Sequence, residues 1–393
     1  MSRVGWPPFD PVDFGAFHAH EVPGLLAEHA NVLARRPDDL GPLTLSVGEE
    51  AVTYRVVPGG VEVVEGVATP RTHVALSPEA WSDFAHELRS AFGLGYAQLA
   101  DCLVGRIDGL SRWEAALRAA WVGRDPALPD VEPLGPDAPL AEQLAMNGFA
   151  LVPGVFTPDE VETLRSEVTR LTELARNDDQ RSWWARTAAG DEVCCRLLYT
   201  EEQSDLITEV VTGDERLADL LAPTGETVRL AADRFDGLSV VMKPPGIVEG
   251  LADLPWHRDC GLGGHSIMCP EFNVGIQLEA ATAETGHLEF LPGSHASGWW
   301  PLDPRAVDGQ PIVEIDTQPG DVTVHYGHVL HRAGSPTGVG GRRALYATFV
   351  QEHAFDYVGP HQAINDVLFA SADGGVLDDR GTADDSCASR RGP

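Results

Sequence analysis

The stretch FNVGIQLEAATAETGHLEFL, Phe272 to Leu291, reads as two strands around a turn. Phe272, Val274, Ile276 and Leu278 alternate with Asn273, Gly275 and Gln277, which is the period-two pattern of a half-buried strand. A run rich in Ala, Thr, Glu and Gly follows, and His287 to Leu291 reads as a second strand. Similar short runs occur at Leu238 to Met242, Val322 to Tyr326 and Ala344 to Val350, separated by Gly, Pro and Asp turns. Many short strands at such spacing predict an antiparallel sandwich or barrel, not a parallel sheet with crossover helices.

At 393 residues, 43% of them hydrophobic, the chain is long enough for two cores. The clearest seam is DVEPLGPDAP, Asp130 to Pro139, whose prolines and lack of period predict a linker. The expected organisation is therefore an accessory domain over 1–129, a linker over 130–139, the main domain over 140–370 and a disordered tail over 371–393. In the first unit, Ala51 to Val57 and Gly60 to Val64 read as strands joined at Pro58-Gly59-Gly60. From Pro78 a helix is expected, with Trp81, Phe84, Leu88 and Phe92 on its apolar face. The second unit opens with a strand in FALVPGVF and a helix capped by Thr157, with proline and two acids in its first turn.

The formal net charge of -32 argues against nucleic acid and anionic membrane surfaces, whose phosphates would repel it. No run of apolar residues suits a membrane span, and MSRVGWPPFD lacks the order of an export signal, so a cytoplasmic protein is expected. Cys102, Cys194, Cys195, Cys260, Cys269 and Cys387 form no paired framework and are expected as free thiols. The basic residues are all arginine except Lys243.

His257-Arg258-Asp259 is an H-x-D triplet, and in an extended segment its two outer side chains point the same way and can grip one metal ion. By itself the triplet is a common coincidence. A third ligand is available in GDVTVHYGHVLH, Gly320 to His331, where His325, His328 and His331 compete, and an arginine pair follows at Arg342 and Arg343. Two imidazoles and a carboxylate on one face of a metal ion would leave its other positions open.

From Met146 to Phe349 the chain resembles the phytanoyl-CoA dioxygenase family. The matching pieces are NGFALVPGVFTPDEV, VMKPPG, PWHRD, NVGIQLEAATAETGHLEFLPGSH, GDVTVHYGHVLH and RRALYATF, in that order. The resemblance implies an α+β chain whose main domain is a double-stranded β-helix, a cupin-like jelly roll with flanking helices, after a smaller mixed α/β domain. It also implies His257, Asp259 and His331 as ligands of Fe(II), with 2-oxoglutarate and O2 as cosubstrates. Arg342 is then the partner of the distal carboxylate, a role for which a planar, permanently charged guanidinium is suited. Position 333 is Ala where many relatives have Ser, so a hydroxyl contact to the cosubstrate is absent or supplied from elsewhere. Asp259 stands where halogenating relatives have a small residue, which favours hydroxylation or another oxidation. VTYRVVPGGVEVVEG with HVALSPEAWSDF is similar to a sterol-carrier type of lipid-binding fold, set against a plain packing domain.

Lys243, Asn273 and Gln277 are further candidates for the cosubstrate pocket, weighed against a surface lysine and polar groups that only satisfy backbone. Trp183, Trp184, Trp299 and Trp300 are candidates for an apolar substrate cleft, while His265 and His295 are expected in turns or behind the ligands. The expected activity is oxidation of an unactivated C–H bond of a small molecule, in bacterial natural-product or lipid metabolism, with release of succinate and CO2. A small-molecule substrate is the expected partner, with a second copy of the chain left open. The rival readings are an inactive binding protein on the same fold and an iron cupin enzyme that uses no 2-oxo acid.

Overall fold

The computed structural model describes residues 10–351, except 38, 88, 97, 178, 180, 223–227, 232–236, 250–253, 260–270, 300–306 and 339. The expected tail, together with Cys260, Cys269, Cys387, His265 and Trp300, lies outside the described residues.

The N-terminal unit holds β1 (Leu43–Val47), β2 (Glu50–Val57), β3 (Gly60–Glu65), β4 (Thr72–Leu76) and β5 (Ala100–Val104), in the order β3-β2-β1-β4-β5. Its pairings are antiparallel except β1 with β4. Leu43, Leu45 and Tyr54 share a buried core with Trp81, Phe84, Trp113 and Trp121. The one long helix expected after Pro78 is instead two, Pro78–Ala85 and Ala91–Tyr96. The chain breaks at Glu87, whose φ of 62 lies in the left-handed region that helices do not continue through. Buried Arg118 stabilises the break by donating to the Phe84 carbonyl at 2.7 Å while its guanidinium lies 4.4 Å over the Phe84 ring. Leu88 is outside the described residues.

The segment after this unit is irregular but docked. Gly298 N donates to Asp125 O at 3.0 Å, and Asn147 exchanges two 2.9 Å hydrogen bonds with the backbone of Leu134. Leu128 packs on a cluster formed by Trp256, Leu291, Val307 and Leu330.

The second unit holds β6 (Phe149–Val152), β7 (Ser182–Thr187), β8 (Glu192–Leu197), β9 (Val228–Leu230), β10 (Leu238–Lys243), β11 (Ile247–Glu249), β12 (Leu254–His257), β13 (Glu271–Gln277), β14 (Leu288–Phe290), β15 (Val313–Ile315), β16 (Val322–Tyr326), β17 (His331–Ala333) and β18 (Arg342–Gln351). The large sheet runs β11-β7-β8-β10-β18-β13-β16-β6, with β9 beside β18, and the small one runs β12-β17-β14-β15. Every pairing within them is antiparallel. This is the jelly-roll arrangement expected for a double-stranded β-helix with flanking helices.

The alternation in β13 explains how the sheet is used. Phe272, Val274 and Ile276 enter the main core with Val161, Leu164, Val168 and Leu171 of the helix Pro158–Leu174. That helix starts with the expected Thr157 cap, here a full capping box in which Thr157 and Glu160 satisfy each other's backbone N–H groups. Asn273, Gly275 and Gln277 therefore face the opposite way, towards the small sheet. Phe149 of β6 and Phe290 of β14 stack at 4.3 Å between the two sheets. Among the described residues no helix is long and apolar enough to cross a membrane, and Cys102, Cys194 and Cys195 are free thiols.

Candidate metal centre

Strand register brings the two outer histidines together. His257 closes β12, His331 opens β17, and the two are direct partners across that antiparallel pair, with ring centroids 4.2 Å apart. Asp259, two residues beyond His257, turns back to the same point: its Oδ1 lies 3.2 Å from His257 Nε2 and its Oδ2 3.6 Å from His331 Nε2. One donor atom from each of the three lies within 4.8 Å of the others. Two imidazole nitrogens and one carboxylate oxygen converging in this way fit an iron ion that keeps open positions on its other side.

The protonation states suit that fit. Burial, and after it the neighbouring His257, pushes the His331 imidazole down to about 3, so it is neutral at ordinary pH. Its Nδ1 lies 3.1 Å from the Val329 carbonyl, which can only accept, so Nδ1 carries the proton and Nε2 presents its lone pair to the site. Burial works against ionisation of Asp259, but its coupling to His331 and its contacts with His257 and His325 carry its carboxyl well below the usual carboxylate range. Metal ligation requires a neutral imidazole and an ionised carboxylate.

A second layer fixes Asp259. Asn273 Nδ2 donates to its Oδ2 at 2.6 Å, and Thr348 Oγ donates to Asn273 Oδ1 at 2.6 Å. His325, directly across from Asn273 in β16, places Nε2 at 3.3 Å from the same Oδ2. Of the three competing histidines, His331 is thus within the triad and His325 beside it. His328 lies elsewhere, its ring near Tyr326 and its carbonyl accepting from Arg258 at 2.8 Å. His295 stacks on Tyr326 at 5.3 Å. Phe290 stacks on His331 at 5.5 Å and supplies an apolar wall.

Further along β18, Arg342 is 2% exposed and faces the same side as Tyr346 and Thr348. Its Nη1 donates to Gly286 O at 2.8 Å and its Nη2 to Tyr346 Oη at 2.7 Å, while its Nε has no partner. Among the described residues no carboxylate pairs with this buried cation. Lys243 is the register partner of Arg342 on β10 and is 1% exposed, not the surface lysine weighed against it. Its Nζ donates to the carbonyls of Ala333 and Gly334, where β17 leaves the site. Gln277 is buried on the same sheet face, with Oε1 unpartnered and Nε2 only 3.3 Å from Gly275 O and 3.5 Å from Thr323 Oγ.

The three candidate tryptophans among the described residues do not form one cleft wall. Trp183 lies under the Arg196 guanidinium at 4.8 Å, Trp184 packs against the main core, and Trp299 packs behind the small sheet. Sequence reasoning passed over Arg258 and Tyr346. Arg258 is buried between two candidate ligands and donates to the carbonyls of His328, Ser294, Ser297 and Trp299, which ties the loops behind β12 and β17 together. Its position inside the H-x-D triplet hid it, because the middle residue was read only as a spacer. Tyr346 was legible as the residue four after Arg342, hence on the same strand face.

The sequence profile of the family described as phytanoyl-CoA dioxygenase (PhyH) matches residues 144–344. The chain is 24% identical over 220 residues to the dioxygenase lolE1 of Epichloe uncinata, covering 52% of this chain and 78% of that protein. Among solved structures, AviO1 from Streptomyces viridochromogenes Tue57 is 28% identical over 54% of this chain and 94% of its own, with a TM-score of 0.44. SnoN, the non-heme alpha ketoglutarate dependent epimerase of nogalamycin biosynthesis, is 22% identical over 54% of this chain and 79% of its own, also with a TM-score of 0.44.

Proposed function

Because the chain belongs to the phytanoyl-CoA dioxygenase family, and is a non-haem Fe(II)/2-oxoglutarate-dependent dioxygenase, we propose that it hydroxylates an unactivated C–H bond of a small molecule in bacterial natural-product or lipid metabolism, acting in the cytoplasm. In this reading His257, Asp259 and His331 hold the iron, and Arg342 holds the distal carboxylate of 2-oxoglutarate. The observation that carries it is the convergence of the three donor atoms within 4.8 Å.

Iron bound there supplies the oxidising chemistry, coupling dioxygen reduction to conversion of 2-oxoglutarate into succinate and CO2. The chain's own residues position and insulate. Asn273 and His325 both address Asp259 Oδ2, which restrains rotation of the carboxylate. Phe290 and Phe149 exclude water behind His331. Buried Arg342, without an ion-pair partner of its own among the described residues, requires an anion, and a carboxylate satisfies both its charge and its fork geometry. Lys243 fixes the end of the strand that starts at His331.

Anaerobic titration of 2-oxoglutarate into the Fe(II) protein should produce a metal-to-ligand charge-transfer band, and turnover should yield succinate only when a substrate is present. A protein that binds Fe(II) but develops no such band would remove the 2-oxo acid from the reading.

A further inference from the structure

Arg342 and Tyr346 stand four residues apart on one strand, so their side chains leave the same face. They meet at 2.7 Å, with Arg342 Nη2 donating to Tyr346 Oη. A phenol has one proton to give, and an oxygen that accepts from a guanidinium must direct that proton elsewhere. Among the described residues no hydrogen-bond acceptor takes it. Arg342 Nε also lacks a partner, so the Nε–Nη2 edge of the guanidinium and the phenol O–H border the same space.

The neighbourhood is shaped to keep the tyrosine there. Gly275 is its register partner on β13, and a Cβ at Gly275 would stand 2.7 Å from Tyr346 Cε1 and 2.7 Å from Thr323 Oγ. The missing side chain is what lets the ring lie across the strand. On the other flank, Gly286 accepts from Arg342 Nη1 at 2.8 Å and holds a φ of 77, where a Cβ would meet the Gly334 carbonyl at 2.2 Å. Position 333, on the strand running past this corner, is an alanine and contributes no hydroxyl.

We propose that Tyr346 is a second anchor for the cosubstrate: its phenol, oriented by Arg342, donates a hydrogen bond to the distal carboxylate that the guanidinium holds. The proposal rests on the assignment of Arg342 to that carboxylate. It makes the pocket selective for dicarboxylic 2-oxo acids through two side chains instead of one.

The test compares wild-type and Tyr346→Phe full-length Fe(II) protein under anaerobic conditions, titrated with 2-oxoglutarate and with 2-oxobutyrate, which has no distal carboxylate. Tyr346→Phe should raise the Kd for 2-oxoglutarate about tenfold and leave that for 2-oxobutyrate, Fe(II) binding and the melting temperature unchanged. Unaltered 2-oxoglutarate affinity, or an equal loss for both acids, would overturn the role of Tyr346 while leaving the cosubstrate reading in place. A wild-type Fe(II) protein that binds no 2-oxoglutarate would overturn both.

Discussion

Arg342 and Arg343 are adjacent in sequence and serve opposite faces of one strand. Arg342 bonds Tyr346 Oη and Gly286 O on the side of the metal triad, whereas Arg343 bonds Glu279 and Thr169 Oγ, the latter on the helix Pro158–Leu174. Arg342→Ala should therefore raise the 2-oxoglutarate Kd by roughly a hundredfold or more, since about 3–5 kcal/mol is lost when a buried carboxylate is left unpaired. Arg343→Ala should leave that Kd unchanged and lower stability by ~1 kcal/mol, the upper end for a partly exposed ion pair. Anaerobic charge-transfer titrations of both variants check the assignment, and the reverse pattern would refute it.

For the metal, His257→Ala, Asp259→Ala and His331→Ala should each weaken Fe(II) binding by at least about tenfold and abolish succinate formation, with the fold retained. His328→Ala should bind Fe(II) as the wild type does, because its ring lies with Tyr326 and His295. Stripping the metal with chelator should lower the melting temperature, and restoring Fe(II) should recover it. Calorimetric titration of the four variants discriminates among them.

Gly275→Ala tests the floor of the pocket. Its Cβ would displace Tyr346 or Thr323, so 2-oxoglutarate binding should weaken about tenfold while Fe(II) affinity stays within twofold. Equal weakening of both would show that the substitution disturbs the whole sheet.

Acid should destabilise the protein through its buried neutral histidines. Burial lowers His18 from 6.5 to about 4, against a hydrogen bond to the Phe14 carbonyl, and His295 likewise to about 4. Below pH 6.5 the unfolded chain takes up these protons, but the folded chain does so only near 4. Unfolding free energy therefore falls as pH falls through that window. His18→Asn keeps a short polar side chain but does not titrate, so it should remove ~1–3 kcal/mol of the loss between pH 6.5 and 4. Melting temperatures across this range decide it: an unchanged slope in His18→Asn would contradict the prediction.

Leu128 lies before the proline-rich seam yet packs on the cluster that contains Trp256 and Leu330, the residues just before His257 and His331. Leu128→Ala should cost about 1–2 kcal/mol, less than a fully buried leucine because the site is partly exposed. A melting temperature equal to the wild type would show that this segment is only a tether.

The sequence alone determined an antiparallel sandwich or barrel, because alternation is a local property and a period of two marks a strand without reference to its neighbours, and the family resemblance narrowed this to a jelly roll. Val322 to Tyr326 matches its strand to the residue, and Thr157 caps its helix as read. H-x-D spacing likewise placed two donor atoms on one side of a short segment. Tertiary structure decided what depends on register between distant strands. His331 stands apart from His328 because β12 pairs with β17 at His257, and Lys243 meets Arg342 because β10 pairs with β18. The strands over 182–197 were missed where no clear period marks them, and the helix after Pro78 broke where buried Arg118 takes the Phe84 carbonyl. Partners 34 residues or more apart, as in that last bond, leave no periodic trace in the chain, since packing selects them only after the elements have formed.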